Sequence, residues 1–148
     1  MLKVGDQAPA FTLPDDRDIA TRLADIRRNG PLILYFYPAD FTPGCTREAC
    51  SLRDLQQDFK TSGVSVYGVS PQSTESHRRF RDQYQLPFRL LSDPDKQVIT
   101  LYGAQGPLGI GVQRISYLIN TAGRIQAALK ANFRVSEHTR FFKEAISN

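Results

Sequence analysis

Two cysteines, Cys45 and Cys50, are the only thiols in the chain of 148 residues, and they stand five positions apart. Cys45 closes a Pro-x-x-x-Thr-x-x-Cys arrangement with Pro38 and Thr42. Each type has a use in redox chemistry. The thiolate form of cysteine is the nucleophile. The Thr42 hydroxyl can donate to a thiolate or accept from an incoming O–H, and Pro38 would end a strand and wall the pocket with apolar surface. A cation is also wanted, to hold anionic sulfur and stabilise charge on a leaving oxygen. Spacing alone does not select it from 19 Lys and Arg residues. Cys-x4-Cys lacks the usual ligand spacing for zinc, so neither a metal nor another cofactor is expected. Asp40 and Glu48 read as a loop acid and a helix-face charge, with Glu48 able to orient a nearby cation. His77 and His138 fall at helical spacing with aromatic residues and read as structural or surface side chains.

The flanking pattern indicates what positions these residues. Leu32-Ile-Leu-Tyr-Phe-Tyr37 is apolar without alternation, as in a strand covered on both faces. After a short loop, Cys45, Ala49, Leu52, Leu55 and Phe59 follow helical spacing up to Gly63. Cys45 therefore falls in a helical first turn, among unpaired backbone N–H groups and the positive end of the helix dipole, which suits a nucleophilic sulfur. Cys50 lies about 160° around the wheel from the mean of that apolar stripe, at ~100° per residue.

Elsewhere, Phe11 and Leu13 alternate with polar neighbours in a hairpin arm, and Thr21–Arg28 reads as a turn of helix. Strands are expected at 64–69 and 86–91, with a helix from 74 to about Tyr84 between them. Pro94 should open a helix reaching about Tyr102, and 103–111 form a Gly-rich loop. Residues 114–119 and 125–129 form a hairpin around Asn120-Thr-Ala-Gly123, and Ser136 should cap a last helix. Early strand–helix alternation with a late hairpin implies an α/β chain: a central mixed sheet flanked by helices, in thioredoxin-like order, with an N-terminal hairpin extension. One domain, 1–148, is expected.

Composition narrows the classes. Hydrophobic residues at 41% and charged residues at 23% fit a soluble globular protein. A net charge of +4 without a basic run or stacking module argues against nucleic acid. No apolar run approaches the ~18 residues of a membrane span, and the N-terminus lacks a signal-peptide core. The expected compartment is the cytoplasm, or an organelle if a transit peptide has been removed.

The sequence resembles the peroxiredoxins, and most closely their peroxiredoxin Q (bacterioferritin comigratory protein) branch, of atypical 2-Cys type. The resemblance rests on Gly5-Asp-Gln-Ala-Pro-Ala-Phe-Thr-Leu13, Tyr35-Phe-Tyr-Pro38, Phe41-Thr-Pro-Gly-Cys-Thr46, Glu48, Cys50, Gly68-Val-Ser70, Leu86-Pro-Phe88, Leu91-Ser-Asp-Pro94 and Arg114 before Tyr117-Leu-Ile119. It implies a peroxidase. Cys45 matches the peroxidatic cysteine, with Pro38, Thr42 and Arg114 completing its pocket, and Cys50 matches the resolving cysteine. On that basis hydrogen peroxide or an alkyl hydroperoxide converts Cys45 to a sulfenic acid. Cys50 condenses with it to a disulfide, and a thioredoxin- or glutaredoxin-type donor reduces the bond. Asn120 stands where the family commonly has Asp. The Gly-Gly-Leu-Gly insertion and C-terminal Tyr-Phe of other branches are not found, which implies resistance to over-oxidation.

Helix geometry adds a condition. Residues five apart in a wound helix have Cα atoms ~8.6 Å apart, and a disulfide spans at most about 7 Å. The first turns must unwind for Cys45 and Cys50 to bond. A disulfide within one chain needs no second subunit, so a monomer is expected. Two rivals use the same fold: a dithiol–disulfide oxidoreductase or redox sensor acting on proteins, and a non-enzymatic binding protein. Pro38, Thr42 and Arg114 serve peroxide and have no evident purpose in dithiol exchange.

Overall fold

A computed structural model describes residues 1–132 and 134–147. Its centre is β3 (Leu32–Phe36), buried at every position. Beside it runs β4 (Ser65–Ser70), parallel, and outside that β5 (Arg89–Ser92), also parallel. On the other side β6 (Ile115–Ile119) is antiparallel to β3, and β7 (Ile125–Lys130) is antiparallel to β6. The strand order is β5-β4-β3-β6-β7. A separate hairpin pairs β1 (Thr12–Pro14) with β2 (Ala20–Arg22). The expected mixed α/β sheet with an N-terminal hairpin is therefore present.

Alternation along β3 divides the core, because successive side chains point to opposite faces. Leu32, Leu34 and Phe36 pack with Phe11, Tyr102 and Tyr117. Ile33, Tyr35 and Tyr37 pack with Cys45, Ala49, Leu52, Phe80 and Phe142. The second face is covered by α2 (Pro43–Asp54), α3 (Gln56–Ser62), α4 (Thr74–Tyr84) and α6 (Val135–Ser147), and the first includes α1 (Leu23–Ile26) and α5 (Gln97–Leu101). Gly68 makes this packing possible: a Cβ there would meet Tyr35 Cζ at 2.8 Å and Leu90 Cδ2 at 2.9 Å.

Several local expectations are corrected. Thr21 and Arg22 are strand, since Thr21 pairs with Leu13, and the helix starts only at Leu23. The segment 45–59 is two helices: at Leu55 the backbone leaves helical geometry (φ −95°, ψ 6°), and Gly63 ends the second in the left-handed region at φ 72°. The third strand begins at Arg89, beyond Pro87, which has no N–H to give a ladder. The next helix begins at Gln97, because Asp93-Pro-Asp-Lys96 closes a turn through Lys96 N–H to Asp93 C=O at 3.0 Å. Asp93 Oδ2 accepts the Ile99 N–H at 2.8 Å. Ser136 is the second residue of α6 and not its cap.

Candidate active site

The sheet register explains why distant residues meet. Phe36 pairs with Ile115, so the exit of β3 into the Pro38 loop adjoins the start of β6, and Arg114 immediately precedes that start. Ile115 also pairs with Lys130, which brings Ala131 and Asn132 to the same end. Arg114 is clamped there: its N–H donates to Asn132 Oδ1 at 2.8 Å, and its carbonyl accepts from Ala131 N–H at 3.2 Å.

Thr42 precedes α2 with extended backbone, and Pro43 occupies the first helical position, where a missing N–H does no harm. Cys45 is third in the helix and only 1% exposed. Arg114 Nη2 donates to Cys45 Sγ at 3.4 Å, and Nη1 donates to Glu48 Oε1 at 2.8 Å. One planar guanidinium thus spans two residues a helical turn apart. Gly44 leaves the room, for a Cβ there would meet Arg114 Nη2 at 3.2 Å. Pro38, Thr42, Gly44, Val112 and Arg114 line one cavity of about 540 Å³, with the Gly-rich loop on its rim. The Thr42 hydroxyl donates to Ala39 C=O at 3.1 Å, so in this state it orders the loop and lines the cavity without bonding the sulfur.

Pro38, Thr42 and Arg114 therefore line one cavity, and the Arg114 contact joins Cys45 to them. Cys50 does not join them: it is half-buried, and both thiols are free.

The carboxylates and histidines are more buried than a loop acid, a helix-face charge or surface rings would be. Glu48 is fully buried; desolvation pushes its carboxyl up to about 7, with Arg114 pulling the other way. Burial also works against the Arg114 charge, but Glu48 and Cys45 beside it more than offset this and leave the guanidinium above its ordinary value. Behind Glu48 lies His138, also fully buried. Its Nδ1 is 2.9 Å from Ser116 Oγ and 3.6 Å from Glu48 Oε2, and its Nε2 is 3.0 Å from Ala131 O. Burial lowers the imidazole to about 4. Asp40 accepts from Tyr37 Oη at 2.7 Å and Ser76 Oγ at 2.8 Å, and bonds His77 Nδ1 at 2.7 Å. His77 Nε2 donates to Leu91 C=O at 3.0 Å. This knot ties the Pro38–Thr42 loop to α4 and β5.

Sequence reading missed both knots. Two signals were available: Ser116, a polar residue in the apolar run Ile115-Ser-Tyr-Leu-Ile119, and His138 four residues before Phe142 on the buried stripe of α6.

Residues 4–128 match the AhpC/TSA family. The chain belongs to that family. Within it the chain is similar to peroxiredoxin Bcp of Escherichia coli K12, 41% identical across 93% of this chain and 90% of that protein. The structure of peroxidoxin BcpB from Mycobacterium tuberculosis superposes with a TM-score of 0.91 at 32% identity, over 99% of this chain and 96% of the other. A Xanthomonas campestris bacterioferritin comigratory protein, described for alkyl peroxide reduction and trapped with intermediate and ligand, gives 0.84 at 26% identity over 93% and 90% of the two chains. The resemblance to the peroxiredoxin Q branch is thereby borne out, and the protein is a thiol peroxidase of that branch. Membership implies a peroxide substrate and a thiol reductant. Among the described residues, no helix is long and apolar enough to cross a membrane and no cluster of potential ligands could hold a metal ion.

Proposed function

We propose that Cys45 is the peroxidatic cysteine, that Cys50 resolves it, and that Pro38, Thr42 and Arg114 form the peroxide pocket. The observation that carries this is the Arg114 fork, one arm on Cys45 Sγ at 3.4 Å and the other on Glu48 at 2.8 Å. Anionic Sγ attacks one peroxide oxygen and the O–O bond breaks. Sulfur keeps that oxygen as S–OH, and the other leaves as water or an alcohol after taking a proton. Arg114 N–H groups beside the sulfur stabilise the negative charge as it passes to the leaving oxygen. The cavity admits hydrogen peroxide and small alkyl hydroperoxides, consistent with the alkyl peroxide reduction described for the Xanthomonas relative.

Cys50 thiolate then displaces water from the Cys45 sulfenic acid, and a thioredoxin- or glutaredoxin-type dithiol reduces the disulfide. Both cysteines lie within one wound helix here, so the bond requires α2 to open near its start. This favours catalysis by a monomer, with residues 1–148 working as one domain in the cytoplasm, where reduced dithiol donors are kept. A protein-directed dithiol oxidoreductase or redox sensor would need a nucleophile reachable by another protein, which Cys45 at 1% exposure does not offer.

Cys50→Ser separates these steps. The variant should consume one equivalent of peroxide, hold a sulfenic acid on Cys45 and then stall with thioredoxin as donor. Full turnover would remove Cys50 from the cycle. In the wild type, oxidation should give a single-chain disulfide and lower hydrogen-exchange protection across residues 44–52. Unchanged protection would contradict the opening of α2.

A further inference from the structure

Glu48 Oε2 is buried and has no hydrogen-bond partner. What faces it is His138 Nδ1, at 3.6 Å. The tautomer of that ring follows from its other contacts. A backbone carbonyl can only accept, so the 3.0 Å contact with Ala131 puts the hydrogen on Nε2. In the neutral ring Nδ1 is then bare, and Ser116 Oγ donates to it at 2.9 Å. An ionised Glu48 would set two lone-pair-bearing atoms against each other with no proton between them. A carboxylic acid protonated on Oε2 removes that conflict.

We propose that His138 is a positioning residue for the peroxidase reaction: its unprotonated Nδ1 edge disfavours negative charge on Glu48 and so favours the neutral carboxyl, leaving Arg114 free to serve the anionic sulfur of Cys45. The proposal rests on Cys45 being the reacting thiol. Charge balance around one cation motivates it. Glu48 is faced by Arg114, by Cys45 one turn earlier on its own helix, by Tyr35 from β3 and by His138 from α6. His138 is faced by Glu48, Ser116, Arg114 and, from its own helix, Glu137. Two anions buried against one guanidinium repel each other and are poorly solvated, so Glu48 is neutral while Cys45 is anionic. The directions of the acid and imidazole shifts agree with this.

When Cys45 becomes S–OH, its negative charge departs with the leaving oxygen. Glu48 then ionises to pair with Arg114, and the proton it releases to solvent equals the one the leaving oxygen takes up. Atoms and charge balance with no further reactant.

Infrared difference spectroscopy reads this directly, with Glu48→Gln assigning the buried carboxylic C=O band. Near pH 7 the reduced protein should show the band, and oxidising the Cys50→Ser protein with one equivalent of hydrogen peroxide should diminish it. His138→Gln keeps a donor for the Ala131 carbonyl but has no basic ring nitrogen. Its band midpoint should fall, because the amide removes the electron-rich ring edge that faces Oε2. Ser116→Ala frees Nδ1 for the Glu48 O–H, so its midpoint should rise. Opposite shifts support the proposal. Shifts of the same sign, midpoints that do not move, or a band indifferent to oxidation would overturn it. If His138→Gln does not fold, the Ser116→Ala shift and the oxidation response decide. Peptide mapping that finds no oxygen on Cys45 would instead sink the reading of Cys45, an outcome distinct from these midpoints.

Discussion

Replacing Arg114 by alanine lowers the rate constant for Cys45 oxidation by hydrogen peroxide about 10²–10³-fold, the usual effect of removing one preorganised donor from a developing oxyanion. The effect should be large because Arg114 is the cation bonded to the sulfur, and the site is buried, where each charge counts for more than in water. The substitution also leaves Glu48 buried without its partner, which pushes the carboxyl further up. Arg114→Lys should recover only part of the rate. A single ammonium cannot place two parallel donors on Glu48 Oε1 and Cys45 Sγ as the guanidinium does. Stopped-flow oxidation of the two variants checks this. An alanine variant within a few-fold of wild type would show that Arg114 has no part in the chemistry.

Asp40→Ala should cost about 1–3 kcal/mol of folding stability, the penalty for leaving buried donors without their acceptor. Its carboxyl group accepts from Tyr37 Oη and Ser76 Oγ and bonds His77 Nδ1. Burial with Asp40 alongside holds the Tyr37 hydroxyl well above its ordinary value, so it remains a donor that needs an acceptor. The expected fall in Tm is about 2–12 °C for a chain of this size. Asp40→Asn should lose less, since its amide oxygen still accepts. Urea unfolding of both variants measures the difference; a loss under about 1 kcal/mol in the alanine variant would mean the knot is dispensable. Asp40 also anchors the loop carrying Pro38 and Thr42, so the destabilised variant should oxidise more slowly too.

How far the sequence reveals this site depends on how local each contact is. Pro38, Thr42 and Cys45 lie within eight consecutive residues, and their types state their chemistry. Arg114 is 69 residues from Cys45. No spacing rule selects it; resemblance does, and the antiparallel register of Phe36 with Ile115 supplies the physical reason. The Glu48–His138 and Asp40–His77 contacts were not legible, because each depends on which helix covers which face. Considered one element at a time, the acids read as a loop acid and a helix-face charge, and the histidines as structural or surface side chains without a named partner. Among the elements, the unbroken apolar run of β3 and the Asn120–Gly123 hairpin signalled themselves plainly. The break at Leu55 did not: Leu52, Leu55 and Phe59 keep helical spacing across it, and only the backbone angles reveal two helices. The late start of α5 follows from the turn closed at Asp93 and Lys96, which Pro94 near a helix start does not distinguish from a first helical turn.

The most direct test is to mix reduced wild-type protein with one equivalent of hydrogen peroxide, quench at successive times and locate the first oxidised sulfur by peptide mapping. Oxidation should be far faster than that of a free thiol, with oxygen first on Cys45 and then a Cys45–Cys50 disulfide. Slow, thiol-like oxidation, or oxygen appearing first on Cys50, would contradict the peroxidatic role of Cys45.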